Sequence, residues 1–126
     1  MTEKKDIEDV LPFVTKQSSY LGGEINSVQK TDSVDLLIAL CFPDVYEIGS
    51  SHFGIQILYN ILNKNKRIKA ERVFSPATDM ESCLRKENRS VFSLETHQAL
   101  NEFDIIGVSL LYELNYTNIL ALLDIS

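Results

Sequence analysis

Residues 33–42 read SVDLLIALCF, a nearly uninterrupted apolar run that stops at Pro43. A strand that is buried on both faces, as in a parallel sheet, has this composition. The residues that follow, 50–64, carry apolar side chains at helical spacing: Phe53, Ile57, Leu58, Ile61 and Leu62. The two segments together predict a buried strand that leads directly into an amphipathic helix with one apolar stripe.

The same alternation continues along the chain. Residues 68–74, IKAERVF, predict a second strand, and residues 103–111, FDIIGVSLL, predict a third. Helical patterns follow them at 78–88 and 115–126, and a short helix is expected near 94–102. The order of elements is therefore strand and helix in turn, from the first buried run to the last residues.

Polar residues mark the expected starts of two helices. Ser50 or Ser51 is placed to cap the helix that follows the first strand. Thr78 and Glu81 have the T-x-x-E spacing of a capping box, which predicts a helix start at Thr78.

Buried strands that alternate with helices imply a parallel sheet with right-handed crossovers. We therefore expect an α/β fold: a flavodoxin-like (Rossmann-like), three-layer parallel sheet with residues 34–42 at its centre. A doubly wound sheet normally has about five strands, so this one is expected to be truncated after about three. Residues 1–32 are interpreted as an N-terminal lead-in segment, and residues 33–126 as an incomplete α/β domain.

Composition and charge exclude several classes of protein. The net charge of −6 argues against a protein that follows nucleic-acid phosphates. No apolar run approaches the roughly 20 residues that span a bilayer, and the charged first residues are unlike a secretory signal. Cys41 and Cys83 lack metal-ligand spacing and are expected to be packed thiols. We expect a cytoplasmic protein without nucleic-acid or membrane partners.

The order of the strands predicts where a ligand would bind. In the flavodoxin-like order 2-1-3-4-5, the first and third strands are neighbours, and ligands bind outside their carboxyl ends. Those ends are the segments FPDVYEIGSS, 42–51, and VSLLYE, 108–113. The first segment also leads into a helix start, which suits a phosphate. A mononucleotide- or phosphate-binding domain is therefore one interpretation, and a vestigial interaction module without a ligand is another.

The spacing inside these two segments is more specific. Asp44, Tyr46 and Gly49 form a D-x-Y-x-x-G frame, and Ser109 and Leu111 form an S-x-L frame. Cobalamin-binding Rossmann-like domains carry D-x-H-x-x-G and S-x-L at the same two topological positions. The sequence resembles that motif with tyrosine in place of histidine.

Longer stretches carry a closer resemblance: FPDVYEIGSSHFGIQILYNILN, AERVFSPATDME, SLET and FDIIGVSLLYELNYTNIL. They resemble the N-terminal, cobalamin-binding-like domain of a radical S-adenosylmethionine family, over roughly residues 19–124. In that family a radical domain follows, with a C-x-x-x-C-x-x-C iron–sulfur motif that this sequence lacks. The resemblance implies that this chain alone is non-catalytic. It also implies that its partner is a radical domain, in cis or in trans, which holds the iron–sulfur cluster and S-adenosylmethionine.

The resemblance further implies cobalamin as a cofactor, held by Asp44, Tyr46, Gly49, Ser50, Ser109 and Leu111. A phenol keeps its proton near neutral pH, with a pKa of about 10. Tyr46 is therefore expected to pack against the corrin rather than to ligate cobalt. The Asp44 carboxylate is expected to accept from the N–H groups of Ser50 or Ser51, while Ser109 reaches the nucleotide tail and Gly49 allows close approach.

The third strand is expected to have an unpaired edge, because in the full strand order a fourth strand would cover it. An exposed apolar edge recruits other chains. The sequence therefore also predicts self-association of the isolated chain.

Overall fold

The computed structural model describes residues 7–24, 27–28, 30, 33–111 and 113–126. Its strands are β1 (Leu36–Phe42), β2 (Ile68–Phe74) and β3 (Ile105–Val108). Its α-helices are α1 (Ser18–Leu21), α2 (Tyr46–Gly49), α3 (Phe53–Lys64), α4 (Thr78–Lys86) and α5 (Tyr116–Asp124). Short 3-10 turns lie at Ile7–Asp9, Leu11–Phe13, Leu100–Glu102 and Glu113–Asn115.

The three strands form one parallel sheet in the order β2-β1-β3. Ile38 of β1 pairs with Ala70 of β2 on one side and with Ile105 of β3 on the other. The expected α/β fold with the first strand at the centre of a parallel sheet is confirmed. The order also agrees with the first three strands of the flavodoxin-like arrangement.

Helices cover both faces of the sheet. On one face, Ile38 and Leu40 of β1 pack against Ile55 and Tyr59 of α3. On the other face, buried side chains of β1, β2, α4 and α5 form one cluster: Ala39, Cys41, Val73, Met80, Leu84 and Leu122. Apolar residues of the lead-in segment join this second cluster: Ile7, Val10, Leu11 and Val14. The lead-in segment is therefore part of the hydrophobic core.

Both predicted helix caps were wrong. The N-cap of α3 is His52, whose Nδ1 accepts a hydrogen bond from Ile55 N–H at 3.3 Å. The N-cap of α4 is Ala77, which places Thr78 inside the helix and leaves no capping box. Glu81 instead pairs with Arg85 one turn later. α4 still begins at Thr78, as predicted, but without a side-chain cap.

The short helix expected near residues 94–102 does not form. An isolated antiparallel bridge joins Phe92 to Ala99, and the only helical turn is a 3-10 turn at Leu100–Glu102. The cause is tertiary, because Ser93 and Glu95 use their polar side chains on β2. Among the described residues, no helix is both long and apolar enough to cross a membrane.

Candidate functional site

The carboxyl ends of β1 and β3 lie side by side, as the strand order requires. Cys41 pairs with Val108, and the N–H of Ser109 donates to the carbonyl oxygen of Cys41 at 3.0 Å. Asp44 and Ser109 therefore follow the ends of two neighbouring strands. Leu111 and its neighbour Leu110 are largely exposed at this edge.

The Asp44 carboxylate closes its own turn. Its Oδ1 accepts from the N–H of Val45 at 2.8 Å, and its carbonyl oxygen accepts from Ser75 N–H at 2.9 Å. The expected bond from Asp44 to the N–H of Ser50 is wrong, since that N–H donates to the carbonyl oxygen of Tyr46 at 2.9 Å. Asp44 thus connects the ends of β1 and β2 through its backbone.

The Tyr46 side chain contacts β2 and the lead-in segment. Its ring lies edge-on to Phe74, the last residue of β2, with 5.6 Å between ring centroids. Its hydroxyl donates to Glu24 Oε1. Burial and this carboxylate raise the pKa of Tyr46 to about 12. Tyr46 is therefore a protonated phenol at neutral pH, and a neutral phenol is a weaker metal ligand than a phenolate or an imidazole.

Gly49 is required by packing. A β-carbon at this position would lie 2.5 Å from Phe74 Cδ1 and 2.9 Å from Phe42 Cδ1. Only a glycine lets α2 rest on the two aromatic residues that end β1 and β2. Ser50 follows as the last residue of this turn, and its carbonyl oxygen accepts from Gln56 Nε2 at 2.6 Å.

The six predicted cofactor-binding residues thus separate into two groups. Ser109 and Leu111 lie at the edge shared by β1 and β3, whereas Asp44, Tyr46 and Gly49, with the adjoining Ser50, belong to the loop that contacts the end of β2. A cobalamin bound through a ligand at position 46 does not fit this arrangement, because Glu24 and Phe74 hold that side chain. In the described part of the chain, no three His, Cys, Asp or Glu residues are grouped to hold a metal ion.

A buried ion-pair cluster next to this loop was not anticipated from the sequence. The Arg72 guanidinium lies 2.7 Å from Glu95 Oε1 and 2.8 Å from Glu24 Oε2. It also stacks on the Tyr59 ring, 4.8 Å from the centroid. Glu24 thus bridges Arg72 to the Tyr46 hydroxyl. The available signal was the pair of charged residues inside the strand IKAERVF, which need buried partners.

The outer edge of β2 is occupied by side chains and loop backbone. Asn63 bonds both backbone groups of Ala70, at 3.0 Å each. Arg72 N–H donates to Glu95 Oε2 at 2.9 Å, and its carbonyl oxygen accepts from Leu94 N–H at 2.8 Å. Lys30 Nζ donates to the next outward carbonyl, that of Ile68. This edge offers little to an additional strand.

The β3 edge is different. Across the described ranges, β3 pairs only with β1. Because Ser109 N–H points to β1 and backbone direction alternates along a strand, the backbone groups of Ile106 and Val108 point away from β1. The side chain of Ile105 is 47% exposed although its partner Ile38 is buried. In the described residues, β3 therefore has a strand partner on one edge only.

Most of the predicted apolar stripe of α3 is also uncovered, and of its five residues only Leu62 packs against the core. Ile55 and Tyr59 face the sheet, whereas Phe53 is 78% exposed and Ile57 and Ile61 are more than half exposed. Helical geometry places Leu58 and Ile61 on the flank opposite Asn63, which is held at β2. This flank therefore faces the β3 side. We call the exposed residues the α3–β3 surface: Phe53, Ile57, Leu58, Ile61 and Ile105.

A family model described as "Radical SAM proteins, N-terminal" matches residues 54–126. The match spans most of α3 and everything after it, and the D-x-Y-x-x-G frame lies outside the matched residues. No curated protein and no solved structure matches the chain.

Proposed function

Since the chain belongs to the family of N-terminal domains of radical S-adenosylmethionine proteins, we propose that it is a non-catalytic module of such a protein. In this proposal its β3 edge and α3–β3 surface pack against the remainder of the protein. The observation that carries the proposal is an apolar surface beside a strand that, in the described residues, pairs on one edge only. Exposed apolar patches of this kind mark interaction sites.

The asymmetry between the two sheet edges specifies where the partner adds. A strand at β2 would have to displace Asn63, Glu95 and Leu94 from the backbone groups that they already satisfy. A strand at β3 finds the outward backbone groups of Ile106 and Val108 without a strand partner in the described ranges. Addition at β3 also covers Ile105. The partner therefore supplies a strand parallel to β3 and apolar side chains for the flank of α3.

Co-expression with a radical domain of the same family tests this proposal. We expect the two polypeptides to co-purify, and Ile61→Asp to abolish the association by placing a charge in the apolar contact. Ser82→Asp is the matched control, because this exposed residue of α4 lies on the other face of the sheet. Both substitutions are at exposed positions, so thermal unfolding should change little. Association that survives Ile61→Asp would contradict the assigned surface.

Cobalamin binding at the edge shared by β1 and β3 is a second candidate function. The observation that favours it is the position of Asp44 and the Ser109–Leu111 segment at neighbouring strand ends, where open α/β sheets bind ligands. Bound cobalamin would supply cobalt-centred alkyl or electron-transfer chemistry. In this proposal Asp44, Ser109 and Leu111 contact the cofactor, Gly49 and Ser50 shape the preceding turn, and Tyr46 makes no bond to cobalt.

Hydroxocobalamin retained after desalting, measured by its absorbance, tests the second candidate in the chain alone and with its radical domain. We expect retention in the parent and loss in Ser109→Leu. Tyr46→His should add no histidine nitrogen coupling in the spin resonance of the reduced cofactor, because Glu24 and Phe74 hold position 46. A histidine coupling there, or no retention in either preparation, would contradict this assignment.

A further inference from the structure

A cavity of about 380 Å³ lies at the carboxyl ends of β1 and β2, away from the edge shared with β3. It is lined by the lead-in segment, by the loop after β1, by the end of β2 and the start of α4, and by Phe92 and Leu94. Its volume is in the range of about 300–1,000 Å³ that small-molecule sites occupy. Tyr46 is the one predicted cofactor residue in its wall.

Four aromatic rings line this cavity. They form two edge-on pairs, Tyr20 with Phe92 and Tyr46 with Phe74. Both tyrosine hydroxyls are already used, since Tyr20 OH accepts from Ala77 N–H at 3.1 Å and Tyr46 OH donates to Glu24. The rings therefore offer a ligand their π surfaces and edges rather than free hydroxyl groups.

The charged groups of the cavity are mostly carboxylates. Glu47 and Asp79 line it, together with a single cation, Lys16, which is 3.4 Å from Glu47 and points largely into solvent. Hydrogen bonds, first from its own backbone N–H and then from Ser19, lower the pKa of Glu47. The N–H of Thr15 likewise lowers the pKa of Asp79. Both carboxylates are thus ionised at neutral pH.

One polar atom of the wall is also available to a ligand. Among the described residues, Ser75 Oγ is buried and has no hydrogen-bond partner. It lines the cavity next to Phe74 and can accept or donate a hydrogen bond. A buried hydroxyl without a partner is costly, and a ligand that reaches it would remove that cost.

We propose that this cavity binds a small organic cation with a quaternary or protonated ammonium group. The electron-rich faces of aromatic rings attract such a group, and the Glu47 and Asp79 carboxylates neutralise it. An anion would find two carboxylates and only the lysine that Glu47 already pairs. The inference is independent of the α3–β3 surface, because the cavity adjoins β2 and not β3.

Calorimetric titration of the full chain with choline, and with its neutral isostere 3,3-dimethylbutan-1-ol, tests the proposal. The two probes have the same shape, so a difference reports the charge. We expect choline to bind at least about tenfold more tightly, from cation–π and carboxylate attraction together. Equal binding of the two probes, or no binding of choline at millimolar concentration, would overturn the proposal.

Conservative variants locate the site. Asp79→Asn and Glu47→Gln keep the shape of the wall and remove one charge each, so each should weaken choline binding by several fold. Phe92→Leu should weaken it through loss of a ring. Glu81→Gln is the control, since this carboxylate lies two residues after Asp79 in α4, pairs with Arg85 and does not line the cavity. Affinity unchanged in Asp79→Asn and Glu47→Gln would place the cation elsewhere and reject the assignment.

Discussion

The Asn63 side chain hydrogen-bonds both backbone groups of Ala70: Oδ1 accepts from the N–H and Nδ2 donates to the carbonyl oxygen, each at 3.0 Å. A neighbouring strand would satisfy the same two groups, so one side chain of α3 takes the place of a strand at this position. The pair also fixes the rotation of α3 about its axis. Ile55 and Tyr59 consequently face the sheet, and Ile57 and Ile61 do not.

Asn63→Ala should destabilise the protein by about 1–3 kcal/mol, because it leaves the Ala70 edge groups without their side-chain partner. Asn60→Ala is the matched control, because Asn60 is an exposed residue of the same helix. Both substitutions raise helix propensity equally. The difference between their free energies of unfolding therefore reports the contribution of the two hydrogen bonds. Urea unfolding measures it, and equal midpoints for the two variants would show that the edge groups gain nothing from Asn63.

Gly49→Ala should destabilise the protein by about 1–3 kcal/mol, because the added β-carbon overlaps Phe74 and Phe42. Gly107→Ala provides the comparison. A β-carbon there meets only Ala39 O at 3.8 Å and Leu40 Cδ2 at 3.9 Å, which are ordinary contacts. The second variant should therefore unfold within about 0.5 kcal/mol of the parent. Thermal unfolding that ranks the two variants the other way would contradict the packing role of Gly49.

The burial of Glu71 leads us to expect that the stability of the protein depends on pH. Glu71 is fully buried, and although burial opposes ionisation, hydrogen bonds from Ser93 and Thr96 and the Lys69 ammonium lower the pKa of this carboxyl below its ordinary value. A lowered carboxylate pKa adds stability that is complete above the unfolded value and disappears as the pH falls through the folded value. Glu71→Gln should therefore cost about 1–3 kcal/mol at pH 7, and this cost should fall as the pH drops below the unfolded pKa of a glutamate.

Urea unfolding at several pH values checks this prediction. Glu102→Gln is the control, since this carboxylate is exposed in the turn before β3. A cost of Glu71→Gln that stays constant from pH 7 to pH 3 would mean that its ionised form is not the stabilising species.

The β3 edge predicts concentration-dependent self-association of the isolated chain. Ile105→Lys should shift it towards monomer, because a lysine at the edge of a sheet opposes further pairing. Ile48→Lys is matched to it, since Ile48 is similarly exposed but lies in α2. Light scattering over a range of concentrations distinguishes the two variants. A parent chain that stays monomeric throughout would remove the edge as a cause of association.

The strands and their order could be predicted from the sequence because of its apolar runs. The runs SVDLLIALCF and FDIIGVSLL have few polar side chains, which is typical of strands in a parallel sheet, although only the first run is buried. The helical periodicity between them predicts crossover helices, and strands connected by crossover helices form a parallel sheet. By contrast, IKAERVF places Glu71 and Arg72 in the interior, and nothing local indicates which residues neutralise them.

Only part of the candidate site could be predicted from the sequence. The segments after β1 and β3 lie together as the strand order requires, and their role in cofactor binding stays a prediction. The direction of Tyr46 could not be read from the D-x-Y-x-x-G spacing, because Glu24 and Phe74 are distant in sequence. Nor could spacing show that the Glu95 side chain would reach the backbone of Arg72.

The sequence by itself determined the elements whose cause is local: three strands, the helices between them and the parallel order that connects them. The expected burial of the third strand was wrong, since Ile105 and Ile106 are exposed. The tertiary structure alone decided which edge of the sheet is closed and which face of α3 is covered. Those outcomes depend on polar side chains such as Asn63 and Glu95 that satisfy backbone groups far along the chain. A buried backbone N–H or carbonyl group needs a hydrogen-bond partner. Which side chain supplies that partner depends on which segments the fold brings together, and neighbouring residues in the sequence do not reveal it.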